Sequence, residues 1–141
     1  MGATYVDVKV SNPAAPEQAW EGEFLVDTGA SHSVVPRKHL EAIGVKPVRQ
    51  REYEMADGSV KPFDVAPAVL EFMGVPTTGS VIFGDSEAEP LLGFIALEDA
   101  EMEVDPLREC LKPRTDSWLI AGLDHFIERK PKASSEETDR G

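Results

Sequence analysis

Valine and polar residues alternate over residues 5–11, and this pattern predicts a half-buried strand. A proline-rich loop at 12–16 follows, and residues 20–26 are expected to form a second strand. We therefore expect an N-terminal hairpin that ends at Asp27. An acidic residue directly after a buried strand is positioned for chemistry rather than for the core.

The rest of the chain continues as short strands separated by turn residues, with two short helical segments. Pro36 suits the first position of a helix over 36–43, and Gly44 suits the position just past its end. Asp57-Gly58 between two extended runs predicts a β-hairpin. Pro67 makes its own stretch an edge strand or a bulged strand. The remaining predicted elements are strands 49–55, 60–65, 69–72 and 80–83, a loop at 74–79, a helix at 94–100, and a last hairpin of 102–104 with 110–112.

The 141 residues suffice for one ordinary domain, and 41% of them are hydrophobic, so a real core is possible. Many short strands favour an all-β fold. Residues 117–127 are apolar enough to pack on the body, whereas residues from 128 onward are polar and acidic. We therefore predict a folded domain over 1–127 and a disordered tail over 128–141.

Charge and cysteine content exclude several classes of function. A formal net charge of −12 argues against binding nucleic acid or an anionic membrane. No stretch is apolar enough to span a bilayer, and the N-terminus does not resemble a signal peptide. The single cysteine, Cys110, excludes an intramolecular disulfide and favours a cytoplasmic location, with Cys110 as a small packed residue.

The candidate chemistry centres on the apolar run 24–26, which leads into Asp27-Thr28-Gly29. Peptide hydrolysis without a metal requires an activated water, which two carboxylates sharing one proton can provide. One carboxylate accepts a proton from the water, and the other donates a proton to the scissile carbonyl oxygen. The chain has one such motif, so a twofold axis between two copies would have to supply the second aspartate.

The residues Phe24-Leu25-Val26-Asp27-Thr28-Gly29-Ala30-Ser31 and the later Leu91-Leu92-Gly93 resemble the retroviral-type (retropepsin-like) aspartic proteases, especially small prokaryotic single-domain members. The order of elements matches that family from about residue 4 to residue 114. The resemblance implies a closed, mostly antiparallel β-barrel with one or two short helices, a homodimer, and no cofactor. It also implies that the substrate is a peptide or a protein.

By the same resemblance, Asp27 is the catalytic residue and the hairpin at Met55-Ala56-Asp57-Gly58 is the flap that covers the substrate. Support for the active-site turn is expected from Thr28, Gly29, Ser31, Leu91, Leu92 and Gly93. Viral members commonly carry Asp where this chain has Ser31. The segment 115–127 does not match the family's terminal strand.

The histidines and the serines near Asp27 give weaker indications of a functional site. His32, His39 and His125 lack the spacing of metal ligands, so no metal site is expected, and His32 is interpreted as a surface or capping histidine. Ser31 and Ser33 beside His32 do not form a nucleophilic triad, because neighbouring side chains on an extended chain point apart. Two functions remain open: an endopeptidase, and a peptide-binding or assembly module that keeps the cleft but cleaves poorly.

Overall fold

The computed structural model describes residues 2–114, which contain nine strands and two short helices. The predicted packing of 117–127 and the predicted tail lie outside the described residues. The elements are β1 (Tyr5–Asn12), β2 (Ala15–Val26), β3 (Ser33–Pro36), α1 (Arg37–Ala42), β4 (Arg49–Glu54), β5 (Val60–Phe72), β6 (Val75–Gly84), β7 (Leu91–Leu92), α2 (Phe94–Ala100), β8 (Met102–Asp105) and β9 (Cys110–Pro113).

Seven of the strands form one sheet in the order β1-β2-β7-β3-β6-β5-β4, and an additional pairing joins β1 to β5. Six strands therefore form a ring of pairings, with β4 attached outside it. The pairings within this sheet are mostly antiparallel, as the resemblance implied, whereas β2–β7 and β3–β6 are parallel. The short β7 comes from a distant part of the chain and runs in parallel alongside the end of β2. The strands β8 and β9 form a separate hairpin.

The strands β5 and β6 are longer than their sequence pattern predicted. The predicted loop at 74–79 is instead a two-residue turn, in which Met73 and Gly74 have positive φ values of 54° and 77°. Such a turn matches the twist of the flanking strands, but methionine is not a residue that signals it. Pro67 lies where β5 pairs with β6 on one side, while on the other side β4 pairs only up to residue 65 and β1 only from residue 69. A missing N–H is tolerated in such a gap.

The core lies among the ring strands and the two helices. Phe24, Leu92 and Leu40 are fully buried, and Leu97 of α2 is 3% exposed. Burying a side chain of this size contributes roughly 1.5–3 kcal/mol, so these residues fix β2, β7 and both helices around one interior. Among residues 2–114, no helix is long and apolar enough to cross a membrane.

Candidate active site

Asp27 directly follows the last residue of β2, and three hydrogen bonds fix its backbone and its carboxylate. Its N–H donates to the Leu92 carbonyl oxygen at 2.9 Å, and its own carbonyl oxygen accepts from the Ala30 N–H at 3.2 Å. The carboxylate Oδ1 accepts from the Gly29 N–H at 3.0 Å. The side chain is half-buried. The carboxylate is therefore presented at a strand end with its orientation set by the following turn.

The two sequence elements that were expected to meet do meet. The strand β7 pairs in parallel with β2, placing Leu91 beside Leu25 and Leu92 beside Val26. On its other side β7 pairs antiparallel with β3 through Val34. A two-residue strand held on both sides cannot shift its register without losing both sets of pairings. Asp27 consequently rests on a segment that lies more than 60 residues away in sequence.

Gly93 lies directly against the backbone of residues 27–32, the turn that begins at Asp27 and is called the catalytic turn below. A Cβ at this position would be 2.6 Å from the His32 carbonyl carbon and 2.9 Å from the Ser31 carbonyl oxygen. Its N–H donates to Ser33 Oγ at 2.9 Å, and Ser33 is only 3% exposed. The next residue, Phe94, donates its N–H to the Ala30 carbonyl oxygen at 2.7 Å. Glycine is required here because only a residue without a side chain permits this approach.

Ser33 is a positioning residue that sequence reasoning did not find. The sequence indicates Ser33 only weakly, because it is a serine at the start of an apolar run and its hydrogen-bond partner, Gly93, lies 60 residues away. Ser31, which was expected to support the turn, is exposed, and its Oγ lies 3.3 Å from His32 Nδ1. Ser33 therefore supplies the hydroxyl that ties the turn to Gly93. Thr28 and Gly29 are exposed beside Asp27.

The predicted flap is the tip of the β4–β5 hairpin. The Met55 N–H donates to the Ser59 carbonyl oxygen at 2.7 Å, and the Gly58 N–H donates to the Met55 carbonyl oxygen at 2.9 Å. Asp57 Oδ1 accepts from both the hydroxyl and the N–H of Ser59. These hydrogen bonds lower the pKa of the Asp57 carboxyl below its ordinary value. Gly58 has φ 87° and would place a Cβ in open space, so the tip is free of packing constraints.

One side-chain contact links this hairpin to the catalytic turn. The Tyr53 hydroxyl lies 3.4 Å from His32 Nδ1, and the two rings meet edge to face. Burial, followed by the charges of Arg51 and Arg49, lowers the pKa of the His32 imidazole. A neutral imidazole can accept a hydrogen bond at Nδ1. His32 is thus a half-buried contact residue rather than the surface or capping histidine expected from the sequence.

This geometry agrees with a comparison against known protein families. The model of the family described as "gag-polyprotein putative aspartyl protease" matches residues 18–99. The chain belongs to this family. No curated protein matches the chain.

The matched region of the gag-polyprotein aspartyl protease family contains every residue assigned above to the site. It begins inside β2, includes Asp27 and the flap, and ends inside α2, just after Gly93. The predicted membership in the retroviral-type aspartic proteases is confirmed. The strand β1 and the β8–β9 hairpin lie outside the match and complete the fold around it.

Proposed function

We propose that this protein is an aspartic endopeptidase in which Asp27 is the catalytic residue. The observation that carries the proposal is the placement of Asp27 at the end of β2, where its backbone N–H donates to the Leu92 carbonyl oxygen and its carboxylate accepts from the Gly29 N–H. Membership in an aspartyl protease family supports the same chemistry. The substrate is a peptide or a protein, since peptide hydrolysis is the reaction that two paired carboxylates and a water perform.

The reaction requires a second carboxylate, and a homodimer supplies it. Two adjacent carboxylates do not both ionise cheaply, so the pair holds one proton. The ionised Asp27 takes a proton from the attacking water, and the protonated Asp27 of the other subunit donates to the carbonyl oxygen of the scissile bond. No cofactor is needed for these steps.

Features next to Asp27 suit a twofold interface. Thr28 and Gly29 are exposed directly beside the carboxylate. Phe94 and Ile95, which follow Gly93, are each 47% exposed although both are large and apolar. A second copy packed around an axis at this point would cover these residues and bring the two aspartates together. We also propose a cytoplasmic location, which the single cysteine of the sequence supports.

Replacing the carboxylate by its amide tests the proposal. Asp27→Asn keeps the shape of the side chain but can neither accept nor release the proton. We expect peptide cleavage to fall by about 10²–10⁴-fold, the range of general acid–base catalysis. The matched control is Asp85→Asn, which makes the same change at an exposed aspartate. Cleavage is measured by mass spectrometry on a peptide library, and association by sedimentation equilibrium.

Three outcomes decide between the candidate functions. Loss of cleavage in Asp27→Asn, with a dimer retained, supports the endopeptidase. Undiminished turnover in Asp27→Asn excludes Asp27 as the catalyst, and full activity of a monomer excludes the paired mechanism. A wild-type protein that binds a statine-type peptide inhibitor yet cleaves no library peptide is a peptide-binding module instead.

A further inference from the structure

The flap hairpin separates its charges between its two faces. Side chains alternate along a strand, so Arg49, Arg51 and Tyr53 lie on one face of β4. The cross-strand partners on that face are Lys61, opposite Tyr53, and Phe63, opposite Arg51. Where β4 and β5 pair with each other, the acidic residues occupy the opposite face, and they are Glu52, Glu54 and Asp64.

The basic face is the one directed at the catalytic turn. Tyr53 belongs to it, and its hydroxyl reaches His32 Nδ1, five residues after Asp27. The Arg51 guanidinium lies 5.3 Å from the centre of the Tyr53 ring, so it is held beside the same contact. The positive charges of Arg51 and Arg49 both contribute to the lowered pKa of His32, which agrees with their being close to it.

These two arginines differ from the others in the described part of the chain. Arg37, Arg108 and Arg114 each form an ion pair with a carboxylate. Within residues 2–114, Arg49 and Arg51 form none, and both are exposed. Lys61 on the same face is partly compensated, because its charge acts on Asp57.

Two arginines without a carboxylate partner are unexpected in a protein with this excess of acidic residues. With 26 acidic and 14 basic residues, a carboxylate partner for any arginine is easily available. The guanidinium groups of Arg49 and Arg51, on the face of the flap hairpin that is directed at the catalytic turn, each offer a planar pair of donors that matches a carboxylate. A substrate chain lying between the lid and Asp27 would present its side chains to these donors.

Building on the endopeptidase proposed above, we infer that the enzyme selects peptides with an acidic side chain beneath the β4–β5 hairpin, where Arg49 and Arg51 bind that carboxylate. The two arginines are specificity-determining residues and take no part in bond cleavage. Because the net charge of −12 repels acidic peptides over long distances, this preference depends on local contact with the lid.

The test uses a positional library of fluorescent octapeptides in which each position is fixed in turn as Asp, Asn, Glu, Gln or Lys. Binding is measured with the full-length Asp27→Asn protein, so that no peptide is cleaved, and cleavage is measured with the wild type. We expect at least one position where Asp or Glu exceeds its amide by about tenfold in both assays. The double variant Arg49→Gln/Arg51→Gln should remove that preference.

The matched control is Glu52→Gln/Glu54→Gln, which changes two charges on the opposite face of the same strand and should leave the preference intact. Melting temperatures confirm that each variant is folded. Equal affinity for acidic and amide peptides at every position overturns the inference, as does a preference that survives loss of both arginines. A wild type that cleaves nothing refutes the endopeptidase alone, since the binding assay still tests the arginines.

Discussion

The catalytic turn and the flap are both glycine-containing turns, yet the structure holds them in opposite ways. The catalytic turn is joined to β7 and α2 by backbone hydrogen bonds between segments about 60 residues apart. The hydrogen bonds of the flap tip connect residues within five positions of each other. A Cβ at Gly93 would collide with backbone, whereas one at Gly58 would meet nothing within 4 Å.

This difference assigns separate tasks to the two regions. In the proposed homodimer, the Asp27 carboxylate meets its symmetry mate and needs a position fixed by long-range contacts, because a small displacement weakens proton transfer. A lid over a polymer must open, and a locally bonded hairpin with few packed side chains can do so at low cost. Four substitutions test the difference between the two regions.

Gly93→Ala should have the largest effect, because the new methyl group would displace the backbone of Ser31 and His32. We expect a loss of up to about 3 kcal/mol in the free energy of unfolding, and loss of peptide cleavage. Urea denaturation and a cleavage assay measure the two effects. Gly79→Ala is the matched control, since a Cβ there meets nothing within 4 Å and should leave stability almost unchanged. A fully stable, active Gly93→Ala protein would contradict the tight approach.

Ser33→Ala should destabilise the same turn by a smaller amount. The substitution leaves the buried Gly93 N–H without its acceptor, which costs about 1–2 kcal/mol. Ser33→Thr keeps the hydroxyl and should recover most of the loss in urea denaturation. If alanine and threonine are equally stable, the hydrogen bond between Ser33 and Gly93 does not secure the turn.

Tyr53→Phe should loosen the flap while hardly changing global stability. It removes the hydroxyl that lies 3.4 Å from His32 Nδ1, a partly exposed contact worth about 1 kcal/mol or less. Amide hydrogen exchange should accelerate in β4 and at the hairpin tip. The control is Tyr5→Phe on β1, which removes a hydroxyl outside the flap and should leave this exchange unaltered. Unchanged protection in Tyr53→Phe would show that the contact does not restrain the flap.

The smallest effect concerns pH. Burial lowers the folded-state pKa of His32 below its ordinary value of 6.5, with Arg51 and Arg49 adding to the shift. Between the lowered value and about 6.5, the unfolded chain binds more protons than the folded one, so stability rises with pH across this window. As pH falls through the same window, the folded state therefore becomes less stable relative to the unfolded chain.

His32→Gln should therefore flatten the pH dependence of the unfolding free energy slightly, as measured by denaturation at several pH values. His39→Gln is the comparison, because burial and Lys38 lower the His39 pKa in the same direction at a site stacked on Trp20. A slope that His32→Gln leaves untouched would show that His32 is not buried against the flap in solution.

Sequence alone was sufficient for many of the local elements of this protein and for the family to which it belongs. Alternating valines predicted β1, Pro36 and Gly44 bounded α1, and Asp57-Gly58 marked the flap hairpin. These signals are local, since strand periodicity and turn geometry depend on residues a few positions apart. The Asp-Thr-Gly motif with the later Leu-Leu-Gly indicated the family, which the comparison confirmed.

The contacts that hold the site together could not be predicted from the sequence and are seen in the fold. The parallel pairing of β7, the hydroxyl of Ser33 on Gly93, and the contact between His32 and Tyr53 all join residues distant in sequence. The short β3 was not predicted, because four residues carry too little periodicity to indicate a strand. Which face of the flap turns toward Asp27 is likewise set by packing, because the alternation of β4 defines two faces without saying which one is inside.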